Sequence, residues 1–181
     1  SLGNLLLSQV EDAESRFPVI NISREMTRDS EGAGRWRGQP GSLNVKQVLE
    51  PATAMTWMVT SRHPLRGMCG GEDASPYSNH FKVGTPDEHK VELSANETLP
   101  VGSVIAYQYG GGGGFEPPLL RDPEAVKEDV LDEIVSVERA GKTYGVVFTG
   151  TVEEFDLAVD VAATAARRKA MSEGQAACLR E

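Results

Sequence analysis

Five consecutive glycines at positions 110–114 constrain the fold more than any other feature of this sequence. They follow an apolar, strand-like run that ends at Tyr109 and precede Phe115, so no continuous helix or strand can cross the segment. Glycine reaches positive φ without steric cost, but ordering five glycines in a row forfeits much backbone entropy. A flexible linker is one interpretation of such a run. The aromatic flanks, the lack of serine spacers and the prolines at 117 and 118 favour a packed loop that lies close to another surface.

Length and composition limit the classes of protein to which the chain can belong. Its 181 residues predict a single domain, 1–181, with a real core, and 39% hydrophobic residues with 19 glycines and 10 prolines indicate a globular, loop-rich protein. A net charge of -9 argues against nucleic acid as a partner, because binding phosphates requires surplus Lys and Arg. No apolar run approaches the roughly 18 residues of a membrane span, so no membrane partner is expected. Cys69 and Cys178 form no disulfide framework, which favours the cytoplasm.

Alternating apolar residues predict strands before the glycine run. These strands are expected within residues 16–23, 42–49, 54–60, 80–84, 89–93 and 103–107, after a short apolar entry from residue 2. The first of them carries apolar residues on both phases, including Ile20 and Ile22, and is expected to be covered on both faces. The second and third are expected to form a hairpin.

Helical signals follow the glycine run. Asp122 and Pro123 are a predicted N-cap and first helical residue, and Ser136 is expected to cap a second, short helix. A strand is expected at 144–149. Thr151 and Glu154 form a capping box that predicts the start of the last helix. The residues predicted to face inward there are Phe155, Val159, Ala162 and Ala166.

The predicted fold class is therefore α+β. The N-terminal two-thirds is mainly antiparallel β structure, the glycine-rich loop follows, and helices with one further strand complete the chain.

Tests for chemistry-bearing motifs find no complete active site. Gly141-Lys142-Thr143 resembles the end of a Walker A sequence, but Ser136 occupies the position of its first glycine. The dinucleotide pattern GxGxxG also fails in the glycine run. His63, His80 and His89 share no metal-ligand spacing, even together with Cys69, and no GxSxG nucleophile elbow is present. Catalytic residues thus stay unknown, and no cofactor or metal ligand is predicted on this chain.

An ordered series of motifs resembles the C-terminal part of the hydantoinase B/oxoprolinase family. The series spans roughly residues 15–150 and comprises Phe17-Pro18, the stretch DSEGAGRWRG at 29–38, the loop 64–71, the glycine run with RDPEAV at 121–126, and YGVV at 144–147. The family includes subunits of N-methylhydantoinase, 5-oxoprolinase, caprolactamase, and acetone and acetophenone carboxylases. Two segments depart from its usual pattern. Glu31 and Gln39 stand where glycines are usual, and Phe115-Glu116-Pro117-Pro118 replaces Tyr-Gly-Asp-Pro.

The resemblance implies an ATP-dependent assembly that activates an amide, lactam or ketone enolate by phosphorylation. Its nucleotide is expected on a hydantoinase A-like partner, and its divalent metal on His and Asp residues of an N-terminal portion that has no counterpart here. The expected partners are therefore the hydantoinase A-like protein and the missing N-terminal portion, in an oligomer. No cofactor is expected on this chain itself.

Two functions follow from the resemblance. The first is the C-terminal domain of a hydantoinase B-like subunit, in an enzyme that opens hydantoin, 5-oxoproline or lactam rings or in a ketone carboxylase, where it contributes structure and subunit contacts and is inactive alone. The alternative is a non-catalytic scaffold that binds a partner. A start at Ser1 without methionine favours an excised piece of a longer subunit. The residues expected near the partner or the active site are Gly110, Gly111, Gly112, Gly113, Gly114 and Arg121.

Overall fold

A computed structural model describes residues 9–57, 62–91 and 94–178. The chain divides into two compact units, and the expectation of a single domain stays a prediction. The sheet unit comprises Ser1–Glu25, Ser42–Arg62 and Tyr77–Tyr109, and the glycine unit comprises Met26–Gly41, His63–Pro76 and Gly110–Glu181. Parts of three predicted elements, at residues 2–8, 58–60 and 92–93, lie outside the described residues.

The sheet unit contains one short helix and two antiparallel β structures. Helix α1 is Val10–Arg16, and the strands are β1 (Val19–Met26), β2 (Ser42–Val48), β3 (Ala52–Trp57), β4 (Ser78–Phe81), β5 (His89–Val91), β6 (Ser94–Leu99) and β7 (Val104–Tyr109). Five strands form one sheet in the order β1-β2-β7-β4-β5, and β3 pairs with β6. Their inward side chains form the core of this unit, which consists of Val48, Phe81, Val91, Leu99 and Ile105.

Strand pairing differs from the sequence-based expectation in two places. The predicted hairpin of β2 with β3 is wrong, because Ser42 of β2 lies opposite Tyr109 of β7 and Ala52 of β3 lies opposite Leu99 of β6. Alternation identifies a strand and its inward face but not its neighbour, since the period is the same for any partner. The first strand is also not covered on both faces. It is an edge strand, and Ile20 and Ile22 remain 43% and 56% exposed.

The glycine unit is built from loops, short helices and one small hairpin. A 3₁₀ turn at Pro118–Leu120 leads into α2 (Pro123–Leu131), which is followed by α3 (Val137–Lys142), the two-stranded hairpin of β8 (Phe148–Thr149) and β9 (Ala158–Val159), and α4 (Val161–Cys178). Both predicted caps are confirmed: the Asp122 carboxylate accepts from Glu124 N, and the Ser136 hydroxyl accepts from Arg139 N. Together the units confirm the α+β class, with antiparallel strands first and helices last.

The last helix begins at Val161, later than its capping box predicts. Glu154 N does donate to Thr151 Oγ1, at 3.2 Å, but this bond lies in the loop between β8 and β9, and Asp160 caps the helix by accepting from Ala163 N. Phe155, predicted to face inward, is 95% exposed.

The inward face of α4 is polar. Thr164 is buried and bonds to the backbone of Val147, and Arg168 donates to the carbonyl oxygens of Tyr144 and Arg121. These polar side chains turn inward because they satisfy loop backbone groups there. Ala162 and Ala166 are exposed, whereas Val159 packs at the edge of the core.

The core of the glycine unit is a second hydrophobic cluster. Its buried members are Ala33, Val126, Val130, Ile134, Val135, Ala140, Tyr144 and Val146. Three of the four residues of the predicted α2 stripe are among them, and the fourth, Leu131, is 43% exposed. Within the described part of the chain, no helix has the length and apolar character needed to cross a membrane.

Candidate functional site

The glycine run lies between two other segments of its own unit. Gly32 N donates to Gly112 O at 2.8 Å and Gly112 N donates to Gln39 O at 2.8 Å, which fixes one side of the run against residues 32–39. On the other side, Met68 N donates to Gly114 O at 2.8 Å and Gly114 N donates to Glu72 O at 3.0 Å. The run is therefore a packed loop with regular backbone partners, and it does not have the form of a free linker.

Close approach of backbones is the reason that these positions are glycine. A Cβ added at Gly111, Gly113 or Gly114 would overlap the carbonyl oxygen of Ser30, Arg66 or Ala33, respectively. Glycines of the facing segments are matched to the run, since a Cβ at Gly38 would overlap the Gly112 carbonyl and one at Gly71 the Gly114 carbonyl. None of residues 110–114 has a positive φ. The conformational argument made from the sequence is thus replaced by a spatial one.

We call residues 30–39, 66–72 and 110–115 the glycine cluster. Phe115, at the end of the run, forms backbone bridges with Trp36 and Met68, one on each side. Its neighbour Glu116, which departs from the family pattern, has a positive φ of 61° and pairs with Arg35 at 3.2 Å. The replaced segment therefore remains part of the cluster.

Two arginines meet a buried carboxylate beside the cluster. Asp129 of α2 is 4% exposed. Its Oδ1 accepts from Arg37 Nε at 2.7 Å, and its Oδ2 accepts from Arg121 Nε at 2.9 Å, with Arg121 Nη2 at 2.8 Å. Arg121 also donates to Arg35 O at 3.1 Å. The predicted site residue Arg121 thus holds the glycine cluster to the start of α2, in bonds that occupy both carboxylate oxygens.

A second buried carboxylate belongs to Glu31, the residue that stands in place of a family glycine. Arg139 Nε donates to its Oε1 at 3.1 Å, and the hydroxyl of Tyr144 donates to the same atom at 3.3 Å. Oε2 is buried and has no hydrogen-bond partner among the described residues. Burial raises the pKa of Glu31, while Arg139 acts in the opposite direction. Burial and the neighbouring Glu31 charge also raise the pKa of Tyr144 above its ordinary value.

An open groove of about 390 Å³ lies over Arg139. Its lining mixes cations and acids: Arg139 and Lys142 face Asp29, Glu72 and Glu138, with the side chains of Ser136 and Thr143 between them. Arg139 is already engaged, because its Nη2 donates to Glu31 O at 3.0 Å and lies 3.3 Å from Glu72 Oε2. Lys142 and Thr143, the residues of the failed Walker A match, end α3 and do not follow a strand.

The histidines are engaged in local contacts or lie apart. His80 and His89 belong to β4 and β5, where His80 Nε2 contacts Ser78 Oγ at 2.9 Å and His89 Nε2 contacts Glu97 Oε2 at 2.9 Å. His63 is exposed in the loop before Pro64. Across residues 9–57, 62–91 and 94–178, no three His, Cys, Asp or Glu side chains are grouped as metal ligands.

Sequence reasoning located the glycine run and Arg121 but missed the carboxylate that Arg121 binds. Asp129 carries a usable signal, since it falls on the apolar stripe of α2 next to Val126 and Val130. An acid on an inward face requires a cation. Glu31 and Arg139 carry a weaker one, because they lie 108 residues apart and the sequence holds no pattern that pairs them.

Comparison with known proteins gives a consistent result. A model of the family described as hydantoinase B/oxoprolinase matches residues 1–118. The chain is 32% identical over 151 residues to the hydantoinase B-type component of a putative D-/L-hydantoinase from Pseudomonas sp. (strain NS671), a match that covers 81% of this chain and 25% of that protein. The chain spans about a quarter of the length of the curated relatives that it matches.

Solved structures agree on the fold. The crystal structure of an ATP-dependent caprolactamase from Pseudomonas jessenii superposes with a TM-score of 0.74 at 26% identity, over 91% of this chain and 28% of the other. The nucleotide-free structure of acetone carboxylase gives a TM-score of 0.78 at 23% identity, over 95% of this chain and 27% of the other.

Proposed function

Because the chain belongs to the hydantoinase B/oxoprolinase family, we propose that it is the C-terminal domain of a hydantoinase B-like subunit. The enzyme is an ATP-dependent amidohydrolase that opens a hydantoin, 5-oxoproline or lactam ring, or a related ketone carboxylase. In it this domain contributes structure and subunit contacts. The similar proteins described as a caprolactamase and an acetone carboxylase support both reaction classes.

The glycine cluster is the observation that supports this proposal. Its glycines contact backbone of their own unit, and the arginines at 37 and 121 bind the buried Asp129 carboxylate. Side chains that are saturated by each other hold a shape and leave few groups for acid–base chemistry. We therefore assign the cluster, including Gly110, Gly111, Gly112, Gly113, Gly114 and Arg121, to a rigid wall close to the active site or to a partner protein.

The remaining parts of the enzyme are proposed to come from elsewhere. ATP is handled by a hydantoinase A-like subunit, and the divalent metal is held by an N-terminal portion of the hydantoinase B-like one. This chain by itself binds no cofactor and is inactive. The complex is an oligomer in the cytoplasm.

Reconstitution tests the proposal. The chain is produced alone, joined to the rest of its subunit, and joined to that subunit together with the hydantoinase A-like partner. Substrate-dependent ATP hydrolysis is then measured with hydantoin, 5-oxoproline, caprolactam and acetone. We expect turnover only from the complete set. Turnover by the isolated chain contradicts the assignment.

A truncation distinguishes the alternative of a non-catalytic scaffold. We expect removal of this domain from the complete set to abolish turnover. An unchanged rate without it assigns the chain to a scaffold that takes no part in the reaction.

A further inference from the structure

The loop between β8 and β9 presents a phenylalanine to solvent at its tip. Phe155 is 95% exposed, and its φ is 58°, a left-handed conformation that is uncommon for a bulky residue. The exposed ring gains no burial within the chain, and the positive φ has a cost of order 1 kcal/mol. Neither feature stabilises the fold, so the conformation of Phe155 calls for another explanation.

Internal bonds hold the loop in this shape. The Asp156 carboxylate accepts from Thr151 N at 2.7 Å, Thr151 Oγ1 accepts from Glu154 N at 3.2 Å, and Phe155 N donates to Val152 O at 3.2 Å. At the base of the loop, Gly150 has a φ of 73°, and a Cβ there would overlap the Asp156 carboxylate. The ring is therefore displayed by a built loop closed between two paired strands.

Charge around the ring has one sign. No Lys, Arg or His occurs between Lys142 and Arg167, whereas the loop itself carries Glu153, Glu154 and Asp156. Glu153 and Glu154 are both exposed next to the ring. An exposed aromatic side chain with an acidic surround is complementary to an apolar socket whose rim carries Lys or Arg.

We propose that the loop 150–157 is a docking element that inserts Phe155 into an apolar socket with a basic rim on another protein. A second copy of this chain is a poor occupant, because it would bring another net charge of -9 against the same acidic loop. The loop also lies outside residues 1–118, so the matched family pattern does not account for it. Resting on the proposed function, this inference assigns the socket to the hydantoinase A-like subunit.

Binding measurements on the complete subunits test the docking role. Biolayer interferometry at low and high salt is used to titrate the subunit that contains this chain against the hydantoinase A-like one. Phe155→Gly is expected to weaken binding about 30-fold, the loss typical of an interface hot spot. The same variant is expected to raise the melting temperature by about 2 °C, because glycine adopts the positive φ without strain. Weaker binding together with higher stability is a combination that misfolding cannot produce.

A charge variant and a matched control complete the experiment. Glu153→Gln with Glu154→Gln is expected to slow association several-fold at low salt and to flatten the salt dependence. Phe17→Ala removes an aromatic ring that is 62% exposed in the sheet unit and is expected to leave binding unchanged.

The outcomes separate this inference from the function on which it rests. Wild-type affinity in Phe155→Gly overturns the docking role and leaves the proposed assembly intact. If the wild-type subunits form no complex, both are overturned. Sedimentation that shows Phe155-dependent self-association assigns the loop to a second copy and overturns the basic socket.

Discussion

The sheet unit buries large side chains, whereas the glycine cluster packs backbone against backbone. In the sheet unit, Phe81 and Leu99 are fully buried between strands. In the glycine cluster, the closest contacts are between glycines and carbonyl oxygens, and the buried groups beside it include the charged Glu31 and Asp129. The comparison teaches that one chain can be sensitive to opposite changes. Its sheet unit should respond to loss of volume, and its glycine cluster to the addition of a single methyl group or the loss of a charge.

The largest effect is expected from a methyl group added to the cluster. In Gly38→Ala the new Cβ would overlap the carbonyl group of Gly112, which is backbone and cannot rotate away. We expect the free energy of unfolding to fall by about 5 kcal/mol, the upper end for single substitutions. Urea denaturation followed by circular dichroism, with hydrogen exchange to localise the loss to the glycine unit, measures this change.

Gly141→Ala is the matched control for that substitution. Gly141 lies inside α3, and the nearest atom to an added Cβ is Val146 O at 3.6 Å, an ordinary contact. Alanine is preferred over glycine within a helix by up to about 1 kcal/mol, so this variant should be slightly more stable than wild type. Equal destabilisation by both variants contradicts the spatial role of the cluster glycines.

The sequence predicted this cluster in part. Local signals were sufficient for the packed glycine run, the Asp122 and Ser136 caps and the α+β class, because each depends on residues that are neighbours in the chain. The partner of each strand and the Glu31–Arg139 pair could not be predicted, because they join residues far apart. The inward face of α4 was predicted incorrectly, since Thr164 and Arg168 turn inward to bond backbone groups that periodicity does not reveal.

The next largest effect is expected when the buried carboxylate of Asp129 is removed. Asp129→Ala leaves Arg37 and Arg121 without their shared anion, and both arginine side chains are largely buried, with exposed fractions of 20% and 13%. We expect the free energy of unfolding to fall by about 4 kcal/mol. Glu133→Ala is the control, because its ion pair with Arg28 is exposed and should contribute less than about 1 kcal/mol. A loss for Asp129→Ala no greater than that of the control shows that the buried pair carries no structural role.

A cavity in the sheet unit gives a somewhat smaller effect. Leu99 is fully buried at the end of β6, and Leu99→Ala should lower the free energy of unfolding by about 3 kcal/mol. Met55 on the paired strand β3 is 55% exposed, so Met55→Ala should change it by less than about 0.5 kcal/mol. Chemical denaturation measures both variants. If Leu99→Ala is tolerated as well as Met55→Ala, the sheet unit does not depend on side-chain volume and the contrast between the units fails.

The smallest effect is a pair of opposite pH dependences. Burial raises the pKa of Glu31 from 4.5, so the folded chain holds this proton where the unfolded chain has lost it. The free energy of unfolding of the wild type, relative to Glu31→Gln, should therefore fall as pH rises above about 4.5 and level off above the folded pKa. In the sheet unit, the hydrogen bond from Lys82, at 2.7 Å, lowers the pKa of Glu97.

Relative to Glu97→Gln, the wild type should therefore lose stability as pH falls from about 4.5 through the lowered pKa of Glu97. Thermal or urea unfolding between pH 3 and pH 8 measures both difference curves, and neither depends on the overall acid sensitivity of the chain, because each variant differs from wild type by one titrating group. Curves that slope in the same direction would mean that Arg139 outweighs burial at Glu31. The glycine unit would then hold its buried acid as the sheet unit holds an exposed one, by a cation, and the two units would differ only in how their backbones pack.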